Sequence, residues 1–265
     1  MKVSGARVLI TGASRGLGQD IARRLHAEGA QLLLSGRDAE ALDRLAQELG
    51  AQVITADLSR PAEVARLAAQ AGDVDILVAN AGVPASGDLL ELTEDQIAAM
   101  LLVNLGAPVA LTRALGERMA ARRRGHIVLI SSLSGKAAAP LSSIYSATKF
   151  GLRGFAHGAR MDLRRHGVGV SVVLPGFVRE AGMFADTGVK LPPGIGTSAP
   201  REVSDAVVKA IRRNRAEVVV APPGVRLGAS LAALAPGLSI LFQSFAGAGI
   251  AKALTAEQMS KRPGG

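Results

Sequence analysis

The chain has 265 residues, 48% of them hydrophobic, with 31 Lys and Arg against 22 Asp and Glu for a net charge of +9. That is enough apolar material for one domain with a full-sized core, and it excludes intrinsic disorder and collagen-like repeats. There is no cysteine and there are only four histidines (His26, His126, His157 and His166), none at metal-motif spacing, so disulfides, iron–sulfur clusters, cysteine nucleophiles and a metal site are not expected.

In chain order, short β-rich runs are expected as strands at Arg7–Ile10, Gln31–Leu34, Gln52–Thr55, Ile76–Ala79, His126–Ile130, Gly169–Leu174 and Glu217–Val220. Helical stretches fall between them, at about Gln19–Glu28, Ala39–Leu49 and Pro61–Ala71, the last two with Asp38 and Ser59 as caps. The strands are apolar throughout, which is the signature of a sheet covered on both faces. The expected fold is therefore α/β: a doubly wound Rossmann fold, a seven-stranded parallel sheet with helices on both faces. Residues 1–222 form the main domain, with a loop insert over 179–200, and 223–265 form an apolar extension of it. The basic runs Arg122-Arg123-Arg124 and Arg164-Arg165-His166 are each followed by glycine, at Gly125 and Gly167, and read as the ends of helices. With aromatic residues at 3% of the chain, a base-stacking surface is not expected, and nucleic acid is not an expected partner. The amino-terminal residues lack a signal-peptide pattern, so a cytoplasmic location is expected.

The first strand runs into Thr11-Gly-Ala-Ser-Arg-Gly-Leu-Gly18, whose glycines (Gly12, Gly16, Gly18) allow a pyrophosphate to approach the backbone at the positive end of a helix. The second strand ends in Gly36-Arg37, where an NAD site would carry an acid. With Arg37 and Arg15 both placed to meet a phosphate, the ribose 2′-phosphate of NADP(H) is the expected ligand. Asp57-Leu58 closes the third strand and Asn80-Ala81-Gly82 the fourth. Ser132 follows the fifth strand, thirteen residues before Tyr145, and Lys149 lies one helical turn after Tyr145, so phenol and ammonium share a helix face. A neighbouring cation favours the phenolate, and Ser132 is placed to hold a carbonyl oxygen while Tyr145 moves its proton.

In these motifs the chain resembles the short-chain dehydrogenase/reductase family, in its compact single-domain branch, over about residues 5–220. The resemblance implies a cofactor site of Gly12, Ser14, Arg15, Gly16, Leu17, Gly18, Arg37, Asp57, Leu58, Asn80, Ala81, Gly82, Tyr145, Lys149, Pro175, Gly176 and Val178. It makes Asn104, Ser132, Tyr145 and Lys149 the catalytic set. On the same basis Asp57 contacts adenine, Lys149 binds the nicotinamide ribose and lowers the Tyr145 pKa, Asn104 supports a water-linked proton relay, and Val178 meets the carboxamide. It also implies homo-oligomers formed through the helices around Asn104 and Tyr145. Two positions depart from the family pattern: Ala79 replaces the first Asn of NNAG, and Glu180 stands where a Thr is usual after the PG motif.

The expected activity is NADP(H)-dependent interconversion of a small-molecule carbonyl and a secondary alcohol. The rival reading is a nucleotide-binding sensor or scaffold without turnover. Beyond the motifs lies an uncharged run from Leu227 to Ala251, in which Leu227, Leu231, Leu234, Leu238, Leu241 and Phe245 follow a helical stripe broken by Pro236-Gly237. Three placements are open to it: packing on the domain or a partner subunit, covering an apolar substrate site, or peripheral contact with a membrane.

Overall fold

The computed structural model describes residues 1–84, 87–187, 196–235, 237 and 240. Among them, β1 (Arg7–Thr11), β2 (Gln31–Gly36), β3 (Gln52–Thr55), β4 (Ile76–Ala79), β5 (Gly125–Ile130), β6 (Val168–Pro175) and β7 (Glu217–Val220) form one sheet in the order β3-β2-β1-β4-β5-β6-β7. Every pairing is parallel. The expected strands are all present, and β1, β2, β5 and β6 extend beyond their expected ends by one or two residues.

Alternate residues of each strand serve opposite layers. Val8, Ile10, Leu32, Leu34, Ile76, Val78, Val128 and Ile130 belong to one core cluster. Leu9, Leu33, Leu77, Ala79, Ile127 and Leu129 belong to the other. The first layer is closed by α1 (Leu17–Ala27), α2 (Ala39–Leu49) and α7 (Pro200–Arg213), through Ile21, Leu25, Leu42, Leu45, Val203, Val207 and Ile211. The second is closed by α3 (Pro61–Ala71), α5 (Ala107–Ala121) and α6 (Ser143–Arg164), through Val64, Leu67, Leu111, Leu115, Met119, Leu152 and Ala156. A strand buried on both sides has no place for a polar alternation, which accounts for the unbroken apolar runs.

Helix α5 continues α4 (Glu94–Leu101) through a π-helical turn at Leu102–Gly106. The joined run Glu94–Ala121 has the length and apolarity of a membrane-crossing helix. Leu111, Leu115 and Met119 are nevertheless buried in the sheet's second core.

Several local expectations are corrected. Asp38 does cap α2, its side chain accepting from the Ala41 N–H, but α3 begins after Arg60 and Ser59 is not its cap. The Ser59 backbone N–H and hydroxyl both donate to Asp57 instead, at 3.0 and 2.8 Å, tying the end of β3 into a turn. Gly125 is the first residue of β5 and not a helix cap; Arg123 takes the left-handed conformation there, at φ 52°, while Gly167 keeps its expected role at φ 74°. The helix ending at α8 (Pro223–Leu234) turns its small face inward: Ala229 is buried, whereas Leu227, Leu231 and Leu234 are 62%, 56% and 82% exposed. The described half of the leucine stripe thus does not pack on its own domain. Pro236, Leu238, Leu241 and Phe245 lie outside the described residues.

Because α5, α6 and α7 each lead into the next strand, their carboxyl ends and arginine runs collect at the amino edge of the sheet. His126, second residue of β5, lies at the same edge with only 2% exposure. Its Nε2 is 2.8 Å from Ser171 Oγ, and that hydroxyl donates to the Arg215 carbonyl. The imidazole is therefore the donor in its own bond with Ser171. Burial, assisted by nearby positive charge that includes Arg160, pushes His126 down from 6.5 to about 3. The folded ring stays neutral in a range where the unfolded ring takes up a proton, so stability falls as pH drops from 6.5 towards about 3. We expect His126→Gln to flatten this part of the stability profile in urea unfolding measured across pH; an unchanged slope would remove His126 as its cause.

Candidate active site

The strand order reverses at β1, so the chain leaves β1 and β4 towards opposite faces and a crevice opens between their carboxyl ends. The two turns bordering it are sewn together. Thr11 Oγ1 accepts from the Asn80 and Ala81 N–H groups, both at 3.2 Å. The Asn80 amide donates to the Thr11 and Gly12 carbonyls at 3.1 and 3.2 Å.

This proximity explains the glycines. A Cβ on Gly12, whose φ is +68°, would sit 2.8 Å from the Ala81 Cα, and one on Gly18 would sit 2.0 Å from the Gly12 carbonyl oxygen. Gly16 precedes α1 without any side-chain cap, leaving the first N–H groups of that helix for an anion. Gln19 Nε2 donates to the Ser14 carbonyl at 2.9 Å and holds the turn in shape. The cradle has the shape and polarity that a pyrophosphate requires.

At the end of β2, Ser14 rests against Gly36, where an added Cβ would come 3.1 Å from the Ser14 hydroxyl. Arg15, Arg37 and Arg60 are all exposed around this end. Burial works to raise the Asp57 carboxyl, but bonds from Ser59 and the charges of Arg37 and Arg60 bring it below its ordinary value. Arg37 thus lies near Asp57. Arg60 was not anticipated, because a basic residue before a helix-starting proline carries no pattern of its own. Leu58 is buried in the core and offers only its backbone to a ligand.

Tyr145 and Lys149 lie one turn apart on α6, facing Ser132 beyond the end of β5. The Lys149 side chain is almost completely buried at 3% exposure, and its Nζ donates to the Ile130 carbonyl at 3.1 Å. It stands 5.5 Å from the centre of the Tyr145 ring. Burial pushes the Lys149 ammonium down to about 8. The same burial raises the Tyr145 phenol, which a hydrogen bond with Ser132 partly offsets. Burial thus acts on Tyr145 against the phenolate, while Lys149 beside the ring is placed to favour it. Ser131, not singled out from the sequence, donates its hydroxyl to the Lys149 carbonyl at 2.9 Å.

Asn104 lies in the π-helical turn with 0% exposure. Its Oδ1 accepts from the Val83 N–H at 2.8 Å and its Nδ2 donates to the Val83 carbonyl at 3.0 Å. Both ends of the amide latch the turn after β4. A Cβ on Gly82 would lie 3.3 Å from Asn104 Oδ1 and 3.8 Å from Lys149 Nζ, so Gly82 brings the β4 turn close to the catalytic pair.

After Pro175 and Gly176, Val178 bridges Ser198 and pins both ends of the insert. Gly182 comes 3.0 Å from where a Gly16 Cβ would stand, and Met183 reaches the Gly82 position, so the insert lies across both turns. Glu180 adopts a left-handed φ of 71° and pairs with Arg179 at 3.1 Å. It faces α1 closely enough to help raise the Asp20 carboxyl, a shift led by burial and opposed by Arg23. Residues 188–195 of the insert lie outside the described residues. The motif residues thus gather at the carboxyl ends of the strands.

The profile of the family described as short chain dehydrogenase matches residues 6–190. The Bos taurus protein named dehydrogenase/reductase SDR family member 7B is 36% identical over 258 residues, covering 89% of this chain and 79% of its own length. Ketoacyl reductase HetN of a Nostoc species is 38% identical over 227 residues, covering 82% of this chain and 79% of its own. Among solved structures, a short-chain dehydrogenase from Sphingobium yanoikuyae in complex with NADPH superposes with a TM-score of 0.74 at 32% identity, covering 88% of this chain and 94% of that one.

Asn104→Ala strands the Val83 N–H and carbonyl, and an unpartnered group costs roughly 1–3 kcal/mol. We expect a loss of that order in urea unfolding, with weakened dinucleotide binding. Unaltered stability would show that the latch carries nothing.

Proposed function

The chain belongs to the short-chain dehydrogenase/reductase family, and from that premise we propose that it is an NADPH-dependent oxidoreductase that interconverts a carbonyl and a secondary alcohol. The observation that carries this reading is the convergence of Ser132, Tyr145 and a buried Lys149 on the end of the crevice away from Arg37. When bound, NADPH supplies a hydride. The neutral Tyr145 phenol gives its proton to the substrate oxygen, which suits reduction at neutral pH; alcohol oxidation needs the phenolate and gains from higher pH. Ser132 holds that oxygen through its hydroxyl. Lys149, fixed on the Ile130 carbonyl, presents its amine beside the phenol, where it would hold the nicotinamide ribose. The sensor or scaffold reading is disfavoured by the intact set, since a binding protein does not require a desolvated amine beside a phenol.

Preference for NADPH is supported by Arg15 and Arg37 and by the lack of an acid at the end of β2. Contact between subunits through α4 and α6 is supported by the exposed apolar side chains of Leu101 and Phe150. The outward leucines of α8 support contact with an apolar surface over packing on the domain. We further propose an apolar substrate, because Leu133 and the Phe177 and Phe184 rings, tilted against each other at 5.0 Å, lie on the insert side of the site.

Tyr145→Phe should keep the fold and NADPH binding while turnover falls about 10²–10⁴-fold, the usual contribution of general acid–base catalysis. Near-normal turnover by that variant, followed as NADPH absorbance across a panel of ketones and 3-oxoacyl thioesters, would refute the mechanism. Arg37→Ala should weaken NADPH about 10- to 100-fold, the value of a charge-assisted hydrogen bond, and leave NADH nearly unchanged. Equal losses for both nucleotides in a binding titration would place the 2′-phosphate elsewhere. Introducing Asp at Gly36 is a poorer test, because Ser14 must move to admit it.

A further inference from the structure

Glu217 opens β7, the last strand of the sheet order, as the one charged residue in an otherwise all-valine segment. Its carboxylate is largely shielded and meets three basic side chains. Lys136 Nζ lies 2.9 Å from one oxygen, while Arg153 Nε at 2.6 Å and His157 Nε2 at 3.2 Å reach the other. Burial raises this carboxyl, but the bonds from Arg153 and Lys136 prevail and keep it charged. Tyr145, Lys149, Arg153 and His157 follow one another at four-residue steps, so the ladder on α6 that ends in the network begins at the phenol.

Lys136 lies directly after the short turn Leu133–Gly135 that follows Ser132, and its backbone N–H closes that turn on the Leu133 carbonyl at 2.8 Å. Just before Ser132, Ser131 is bonded to the Lys149 carbonyl. The segment carrying Ser132 is therefore fastened to α6 on both sides: directly at Lys149, and one helical turn later at Arg153 by way of Glu217. An exposed ion pair contributes little, but this carboxylate also separates two like charges. Without it, Lys136 and Arg153 repel each other across the joint, and the Ser132 segment loses its second fastening.

We propose that Glu217 is a positioning residue: through Lys136 and Arg153 it fixes the Ser132 loop against the helix that carries Tyr145. The inference rests on the catalytic reading of Ser132 and Tyr145. A misplacement of about 1 Å in such a constellation costs up to ~100-fold in rate.

The test is a cycle of Glu217→Gln, Ser132→Ala and the double variant, with Lys136→Met as an independent way to open the same joint. Tyr145 is the single tyrosine and the chain has no tryptophan, so tyrosine emission and the tyrosine band of the near-ultraviolet circular dichroism report on that site. We expect Glu217→Gln and Lys136→Met to lower kcat for NADPH-dependent reduction of an apolar aryl ketone by about 10- to 100-fold, with NADPH affinity within about twofold. Their tyrosine signals should move towards that of Ser132→Ala, and the double variant should be no slower than Ser132→Ala alone. Should Glu217→Gln fail to fold, Lys136→Met in the same cycle carries the decision. Wild-type kcat and tyrosine signal in these variants, or losses that multiply with Ser132→Ala, overturn the proposal. If the wild type reduces no ketone, the functional reading fails, while the tyrosine signals still decide whether Glu217 positions Ser132.

Discussion

The reversal of strand order beside β1 is the constraint on which the site depends. Neighbouring parallel strands whose connections leave on opposite faces cannot be bridged by their own helices, so a gap between their ends is unavoidable. The protein closes the floor of that gap with hydrogen bonds from the Thr11 and Asn80 side chains to the backbone of Thr11, Gly12, Asn80 and Ala81. It keeps the gap open above by excluding side chains at Gly12, Gly18 and Gly82. Asn80, Ser132 and Pro175 then follow along one rim, at the ends of β4, β5 and β6.

The second organising feature is desolvation. A lysine with 3% exposure and no ion pair among the described residues is held only by a carbonyl, and its depressed pKa records the cost. Burial acts on the tyrosine in the opposite sense, because there the neutral form is the protonated one. The site therefore holds a lysine prone to release its proton and a tyrosine reluctant to do so. For donation of a proton to a carbonyl, the second property is useful without any phenolate having formed. Sites that carry unfavourable solvation of this kind draw on stability supplied elsewhere, here by two apolar layers on a continuous sheet.

Much of this was legible in the sequence because it depends on local pattern. The apolar runs disclosed the strands, since a doubly covered strand leaves no room for polar residues. The glycine turn, Ser132, Tyr145 and Lys149 were legible because their chemistry fixes their spacing. What could not be read depends on groups distant in sequence. Asn104 meets Val83 across 21 positions, and Glu217 meets Lys136 and Arg153 from a strand at the far end of the sheet order. Ser59 looked like a cap because it precedes a proline-led helix, yet Asp57 competes for its donors. At α8, periodicity located the leucines on one face but did not say which face the domain would take.

The π-helical turn has a consequence for how the long helix tolerates change. Such a turn accommodates one residue more than a regular α-helical turn, and one residue amounts to about 100° of rotation. Everything after Gly106 is therefore phased by that extra residue, including the inward row of Leu111, Leu115 and Met119. Loss of a single amino acid at this point leaves a smoother helix whose two ends no longer agree: with α5 seated on the sheet, Asn104 swings out of reach of Val83, and with Asn104 in place, α5 turns its polar side inward. The irregular turn is thus a phase adjuster that lets one helix serve the crevice at one end and the core at the other.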